Sequence, residues 1–168
     1  MSNPNPHSGG GKIMLAIAWL LILGGIYWYF SHWDARETNP NTARVINQQR
    51  GELTLERNRA GHYLAEGEIN GRRVTLLLDT GATWVALPLA LGRELGLKRG
   101  AAVTLQTANG PAVGYQTRLD RVRLGPLELR DVAAVMSDGL DAEAVLLGMS
   151  FLQRVEFTQR GGKLILKQ

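Results

Sequence analysis

Cysteine is absent from this chain. Disulfides, thiolate metal sites, iron–sulfur clusters and a cysteine nucleophile are therefore excluded together. Histidine is almost as scarce. His7 and His32 lie outside the segment that reads as folded, which leaves His62 alone in a strand. A multi-histidine metal centre cannot be assembled from that set, and neither a metal nor any other cofactor is expected. No glycine-rich loop leads into Lys-Ser or Lys-Thr, so the phosphate cradle of nucleotide enzymes is missing. Gly148-Met149-Ser150 lacks the second glycine of a G-x-S-x-G nucleophile elbow. Blocks of like charge are missing too. The 19 basic and 15 acidic residues are interspersed, and a formal net charge of +4 spread in this way is a solvated surface, with no nucleic-acid partner expected. With 168 residues, two large domains are excluded.

What the chain does have is sharply segregated. Residues 13–30, IMLAIAWLLILGGIYWYF, form an uncharged run of eighteen residues. A bilayer core needs about 20 apolar residues in a helix. The run ends in Tyr27, Trp28, Tyr29 and Phe30, with Trp33 beyond, as in an interfacial aromatic belt. It is too long for a signal-peptide core, and bulky where a cleavage site needs small residues. It predicts an uncleaved transmembrane signal anchor over 13–30, behind a disordered tail at 1–12. Lys12 precedes the run while Asp34, Arg36 and Glu37 follow it, which favours a cytoplasmic N-terminus. The rest of the chain would then lie outside the cytoplasm, in the periplasm if the membrane is a bacterial inner membrane. Residues 31–49, with Asn-Pro-Asn and scattered charges, read as a linker. The folded domain is expected over 50–168.

Within that domain the pattern is mostly strands. Glu52–Glu56 alternates polar and apolar residues. His62–Ile69 and Arg73–Leu78 flank Asn70-Gly71, a two-residue hairpin signal in which both positions tolerate positive φ. The second of these ends in Leu76-Leu77-Leu78, apolar on both faces and so central. Trp84–Leu87 is a short strand, and Pro88 opens a helix ending near Gly96. Strands follow at Ala102–Gln106, Ala112–Leu124, Leu127–Met136 and Val145–Leu147. Ser150–Arg154 reads as a helical turn capped by Ser150, and a last hairpin surrounds Arg160-Gly161-Gly162. The fold class is all-β, a small closed or barrel-like domain with one or two short helices.

The chemistry converges on Leu76-Leu77-Leu78-Asp79-Thr80-Gly81-Ala82. A carboxylate placed directly after a buried strand carries a large desolvation cost unless it is hydrogen-bonded or used. Thr80 supplies a hydroxyl, and Gly81 lets the backbone turn tightly. The same triplet would also serve as an ordinary strand-ending Asx turn. The surrounding order adds information: an apolar strand, DTGA, a short strand and a helix, a hairpin tipped by Thr107-Ala108-Asn109-Gly110, then Leu146-Leu147-Gly148 before a helical turn.

This arrangement resembles the retropepsin-like aspartic proteases, the family of the retroviral proteases, and above all their membrane-anchored bacterial members. The resemblance implies that Asp79 is the catalytic aspartate, Thr80 the residue that braces paired active-site loops, and Gly81 the one that accepts the substrate backbone. It places Ala82 in the substrate pocket and Thr107, Ala108, Asn109 and Gly110 in a flap over a peptide or protein substrate; Trp84, just past the site, is either a core aromatic or a wall of that pocket. Leu147 and Gly148 would pack behind the catalytic loop. Two positions depart from the retroviral pattern. Where an acid and an Arg would pair, this chain has Thr83 and Met149; with both absent, no buried charge is stranded. Ala82 offers no hydroxyl to the carboxylate, which favours activity at milder pH.

The mechanism implied needs two carboxylates sharing a proton. The sequence contains one Asp-Thr-Gly, and Asp120, Asp131, Asp138 and Asp141 lie in no matching context. A homodimer is therefore expected, each subunit giving one Asp79. The alternative is a module that keeps the fold and binds extended peptides, or aids assembly, without catalysis.

Overall fold

A computed structural model describes residues 8–41, 51–107, 110–140 and 144–168. The chain divides into two units, Met1–Thr38 and Asn39–Gln168. In the first, one helix, α1, spans Ser8–Thr38. It is longer than the apolar run that predicts it, taking in part of the expected tail at one end and part of the expected linker at the other. Side chains are described along it at 13–29, and the large apolar ones are exposed, including Leu20 at 70% and Leu21 at 73%. Among the described residues no helix is long and apolar enough to cross a membrane, so the structure does not bear out the span expected over 13–30.

The second unit begins eleven residues before the boundary expected from sequence, at Asn39 and not at residue 50. Its entry is polar and buried. Asn41 uses its whole side chain on the domain: Nδ2 donates to the carbonyls of Glu56 at 2.9 Å and Leu64 at 2.8 Å, and Oδ1 accepts the Glu56 N–H at 2.9 Å. The Asn39 side chain in turn accepts the Asn41 N–H. Asn-Pro-Asn is thus a docked strap. The remainder of the expected linker, residues 42–49, lies outside the described residues.

Two sheets build the domain. One has three antiparallel strands in the order β1 (Glu52–Glu56), β10 (Lys163–Lys167), β9 (Glu156–Arg160). The other contains β2 (Tyr63–Ile69), β3 (Arg72–Leu78), β4 (Val85–Pro88), β5 (Ala102–Thr107), β6 (Gly110–Leu124), β7 (Leu127–Ser137) and β8 (Val145–Leu147). Its order is β2-β3-β8-β4-β7-β6-β5. A further pairing of β2 with β6, at Glu68↔Arg123 and Ile69↔Val122, closes six of these strands into a barrel and leaves β5 as an outer flank. The β3–β8 and β4–β7 pairs are parallel and the rest antiparallel. The expected all-β barrel is what forms, with two short helices, α2 (Leu89–Glu94) and α3 (Met149–Leu152).

The local signals explain most of this. β1 buries Leu53 and Leu55 and turns Glu52, Thr54 and Glu56 outward, the half-buried alternation its sequence shows. Asn70 and Gly71 both take positive φ, 50° and 87°, as a two-residue hairpin of strands twisted this way requires. β3 is central, between β2 and β8, yet only Leu76 is fully buried; Leu77 and Leu78 are half-buried in the single chain. Pro88 closes β4 and serves as the helix N-cap, where its missing N–H is not needed. Both sheets contribute to one core, in which Leu53, Leu166, Leu76, Leu147 and Phe151 are all buried. Each such side chain contributes roughly 1.5–3 kcal/mol from leaving water.

Candidate active site

The Asp79 loop is built where β3 runs out beside β8. Their parallel register pairs Leu76 with Val145, Leu77 with Leu146 and Leu78 with Leu147. The ladder continues one step further, as the Asp79 N–H donates to the Leu147 carbonyl at 3.2 Å. This fixes Asp79 to the last residue of β8. Its side chain is half-buried, and Oδ1 accepts the Gly81 N–H at 2.8 Å. The Ala82 N–H donates back to the Asp79 carbonyl at 3.3 Å, closing a tight turn that leaves Thr80 and Gly81 exposed.

Leu147 and Gly148 lie beside this turn. The Met149 N–H donates to the Ala82 carbonyl at 2.8 Å and the Ser150 N–H to that of Thr83 at 2.9 Å. These bonds tie the start of α3 to the strand leaving the loop. Gly148 is forced by contact: a Cβ there would lie 2.6 Å from the Ala82 oxygen and closer still to that of Trp84. Thr83 and Met149, which replace the acid and the Arg, do come together here. Thr83 is exposed, and Met149 packs against the core.

Ser150 behaves differently from its sequence reading. The cap of α3 is Gly148, with no side-chain cap bond. Ser150 Oγ instead accepts the Val85 N–H at 2.9 Å and donates to the Ala133 carbonyl at 2.7 Å, joining α3, β4 and β7. A lone hydroxyl inside the apolar run MSFL was the available signal, because a buried hydroxyl needs partners. Trp84 is half-buried, on the edge of a cavity away from the Asp79 turn.

The expected flap is the β5–β6 hairpin. Thr107 pairs with Gly110, and Thr107 Oγ1 donates to the Gly110 carbonyl at 2.7 Å. The intervening Ala108 and Asn109 lie outside the described residues, as does Asp141. His62 is exposed, its backbone closed into a turn with Asn58 just before β2. Asp138 is exposed in a turn after β7.

Comparison with known proteins bears on the family and the fold. Residues 65–154 match the family described as gag-polyprotein putative aspartyl protease. A solved retropepsin-like aspartic protease from Rickettsia conorii is 31% identical, with a TM-score of 0.57 over 70% of this chain and 100% of that one. A Sinorhizobium protein encoded in the cobV 5′ region, described as uncharacterized, is 31% identical over 125 residues. An uncharacterized Rickettsia prowazekii protein is 30% identical over 107 residues. The matches cover 71% and 62% of this chain but only 54% and 46% of those relatives, so the chain spans about half the length of the curated proteins it matches.

Proposed function

Since the chain belongs to the retropepsin-like aspartic protease family, we propose that it is an endopeptidase whose active site forms between two copies, each contributing Asp79. The observation that carries the reading is the Asp79 carboxylate itself. It is held half-buried at the end of β3 by the Gly81 N–H, on a loop braced from behind by Leu147 and Gly148. One chain supplies one such carboxylate, and the chemistry uses two. The ionised Asp79 takes a proton from a bound water as its oxygen attacks the scissile carbonyl carbon. The protonated Asp79 of the second copy donates a hydrogen bond to the carbonyl oxygen. Collapse of the tetrahedral species then breaks the C–N bond, and the leaving nitrogen takes the proton.

Peptide cleavage by the purified chain, with Asp79→Asn as control, tests the assignment. Cleavage is expected from the wild type and none from the variant; equal activity in both would overturn it. Sedimentation tests the stoichiometry. A chain that stays monomeric while cleaving peptides would overturn the dimer.

The reading includes attachment to a bacterial inner membrane through residues 13–30, with the protease domain on the periplasmic side. The uncharged run of eighteen residues supports it, as do the exposed apolar side chains of α1, which favour burial in a nonaqueous surrounding. Alkaline extraction of membranes is the test: the chain is expected in the pellet, and its release with the peripheral proteins would overturn attachment.

A further inference from the structure

A cavity of about 730 Å³ opens beside the strand that leaves the catalytic loop. That volume lies within the roughly 300–1,000 Å³ typical of ligand sites. Trp84, five residues after Asp79, forms one wall. The loop after α2 forms another, with Leu95 and Leu97 half-buried and Lys98 and Arg99 exposed. The middle of β6 forms the floor.

Its charge is unbalanced. Three cationic side chains line it, Lys98, Arg99 and Arg118, against one carboxylate, Asp120. Arg118 is neutralised by both oxygens of Asp131, at 2.5 and 3.0 Å. Lys98 and Arg99 remain, opposed by Asp120 alone among the lining side chains. Arg99 is not loose: its guanidinium carbon sits 5.0 Å from the ring centre of Tyr115, a stacking that holds a cation in place while leaving its edge open to an anion. The cavity thus offers an apolar wall and a positioned positive rim.

The wall belongs to the same backbone as the active site. The Trp84 carbonyl lies against Gly148, and the next N–H, of Val85, is held by Ser150. The floor carries Gln116, whose carbonyl accepts the Gly100 N–H at 2.7 Å and whose N–H donates to Ala101 at 2.9 Å, at the base of the β5–β6 hairpin.

We propose that this cavity is an exosite for an acidic segment of the peptide substrate, an apolar side chain resting on Trp84 and a neighbouring carboxylate meeting Lys98 and Arg99. The proposal rests on the endopeptidase reading and adds a substrate class to it. Attraction between exposed charges of this kind acts mainly on encounter and ground-state binding, not on the chemical step.

The test uses the full chain and two peptides that share a cleaved core, one extended by an acidic–apolar segment and one by a neutral segment. Reversing the rim with Lys98→Glu and Arg99→Glu is expected to raise KM for the acidic peptide about tenfold at unchanged kcat, and to leave the neutral peptide within about twofold. Roughly 0.5 M salt should erase most of the wild-type preference. The milder pair Lys98→Gln and Arg99→Gln serves if the reversed chain folds poorly. In parallel, the Asp79→Asn chain is titrated with the labelled acidic peptide, with and without the reversed rim. Equal KM and equal binding with and without the reversal overturn the exosite. Charge-dependent binding without cleavage of any peptide by the wild type supports the exosite and overturns the endopeptidase reading instead.

Discussion

Ser150 holds Val85 in place: its Oγ accepts the Val85 N–H at 2.9 Å while donating to the Ala133 carbonyl at 2.7 Å. Val85 is fully buried, so its N–H has no other partner within reach of solvent. Ser150→Ala strands both backbone groups, and leaving such a group unsatisfied costs about 1–3 kcal/mol each. Thermal unfolding should show a clear loss of stability, and Ser150→Thr, which keeps a hydroxyl, should recover part of it. No loss in the alanine variant would mean that the bridge carries little.

Gly148 makes a harder demand. The atoms a Cβ would meet are the backbone oxygens of Ala82 and Trp84, which cannot move without shifting the Asp79 loop. Gly148→Ala should therefore destabilise by about 3 kcal/mol, at the upper end of ordinary overpacking. Cleavage should fall even at temperatures where the variant remains folded. Denaturant midpoints and residual activity measured on the same preparation check both halves.

Asn41→Ala removes three hydrogen bonds to Glu56 and Leu64 at once. With the Glu56 N–H left unpaired, the expected loss is roughly 2–3 kcal/mol. Hydrogen exchange should quicken first in β1 and at the start of β2, where the strap is docked. Unchanged exchange there would show that the domain does not need the residues at 39–41.

Equal co-expression of wild type and Asp79→Asn distinguishes a shared site from an independent one. Random pairing leaves about a quarter of the dimers with two intact carboxylates. Activity per total chain should fall to about that fraction, whereas independent sites would retain about half.

Ala82 follows the Asp79 turn with no hydroxyl of its own. Ala82→Ser introduces a donor, and a hydrogen bond to an ionised carboxylate favours the ionised form. The acid limb of the pH–rate profile should move to lower pH in the variant. An acid limb at the same pH in both chains would overturn this.

The fold was legible in the sequence wherever a short-range rule applied. Asn70-Gly71, the alternation of β1 and the apolar run into Asp79 each depend on neighbours within a few residues, and each appears at its expected place. Leu147 and Gly148 enter only through the resemblance, since no local rule marks a Leu-Gly pair as the neighbour of a loop some 65 residues earlier. What could not be read was long-range satisfaction of polar groups. Ser150 is polar in an apolar run and Asn41 sits beside a proline, so cap and linker were the local readings. Their partners lie 65 and 15 residues away, at Val85 and Glu56, and nothing nearby in sequence points to them. The burial of β3 shows the same limit from the other side. Leu77 and Leu78 are apolar enough for a fully enclosed strand, yet both stay partly exposed in one chain.

The single Asp-Thr-Gly has a genetic corollary. In a site assembled from two identical chains, each codon of the loop from Asp79 to Trp84 is expressed twice. A substitution favourable on one side of the scissile bond is imposed on the other as well. Selection therefore cannot shape one carboxylate as the better base and the other as the better acid. Any difference between them must come from the bound peptide, whose own direction, amino end to carboxyl end, breaks the two-fold symmetry.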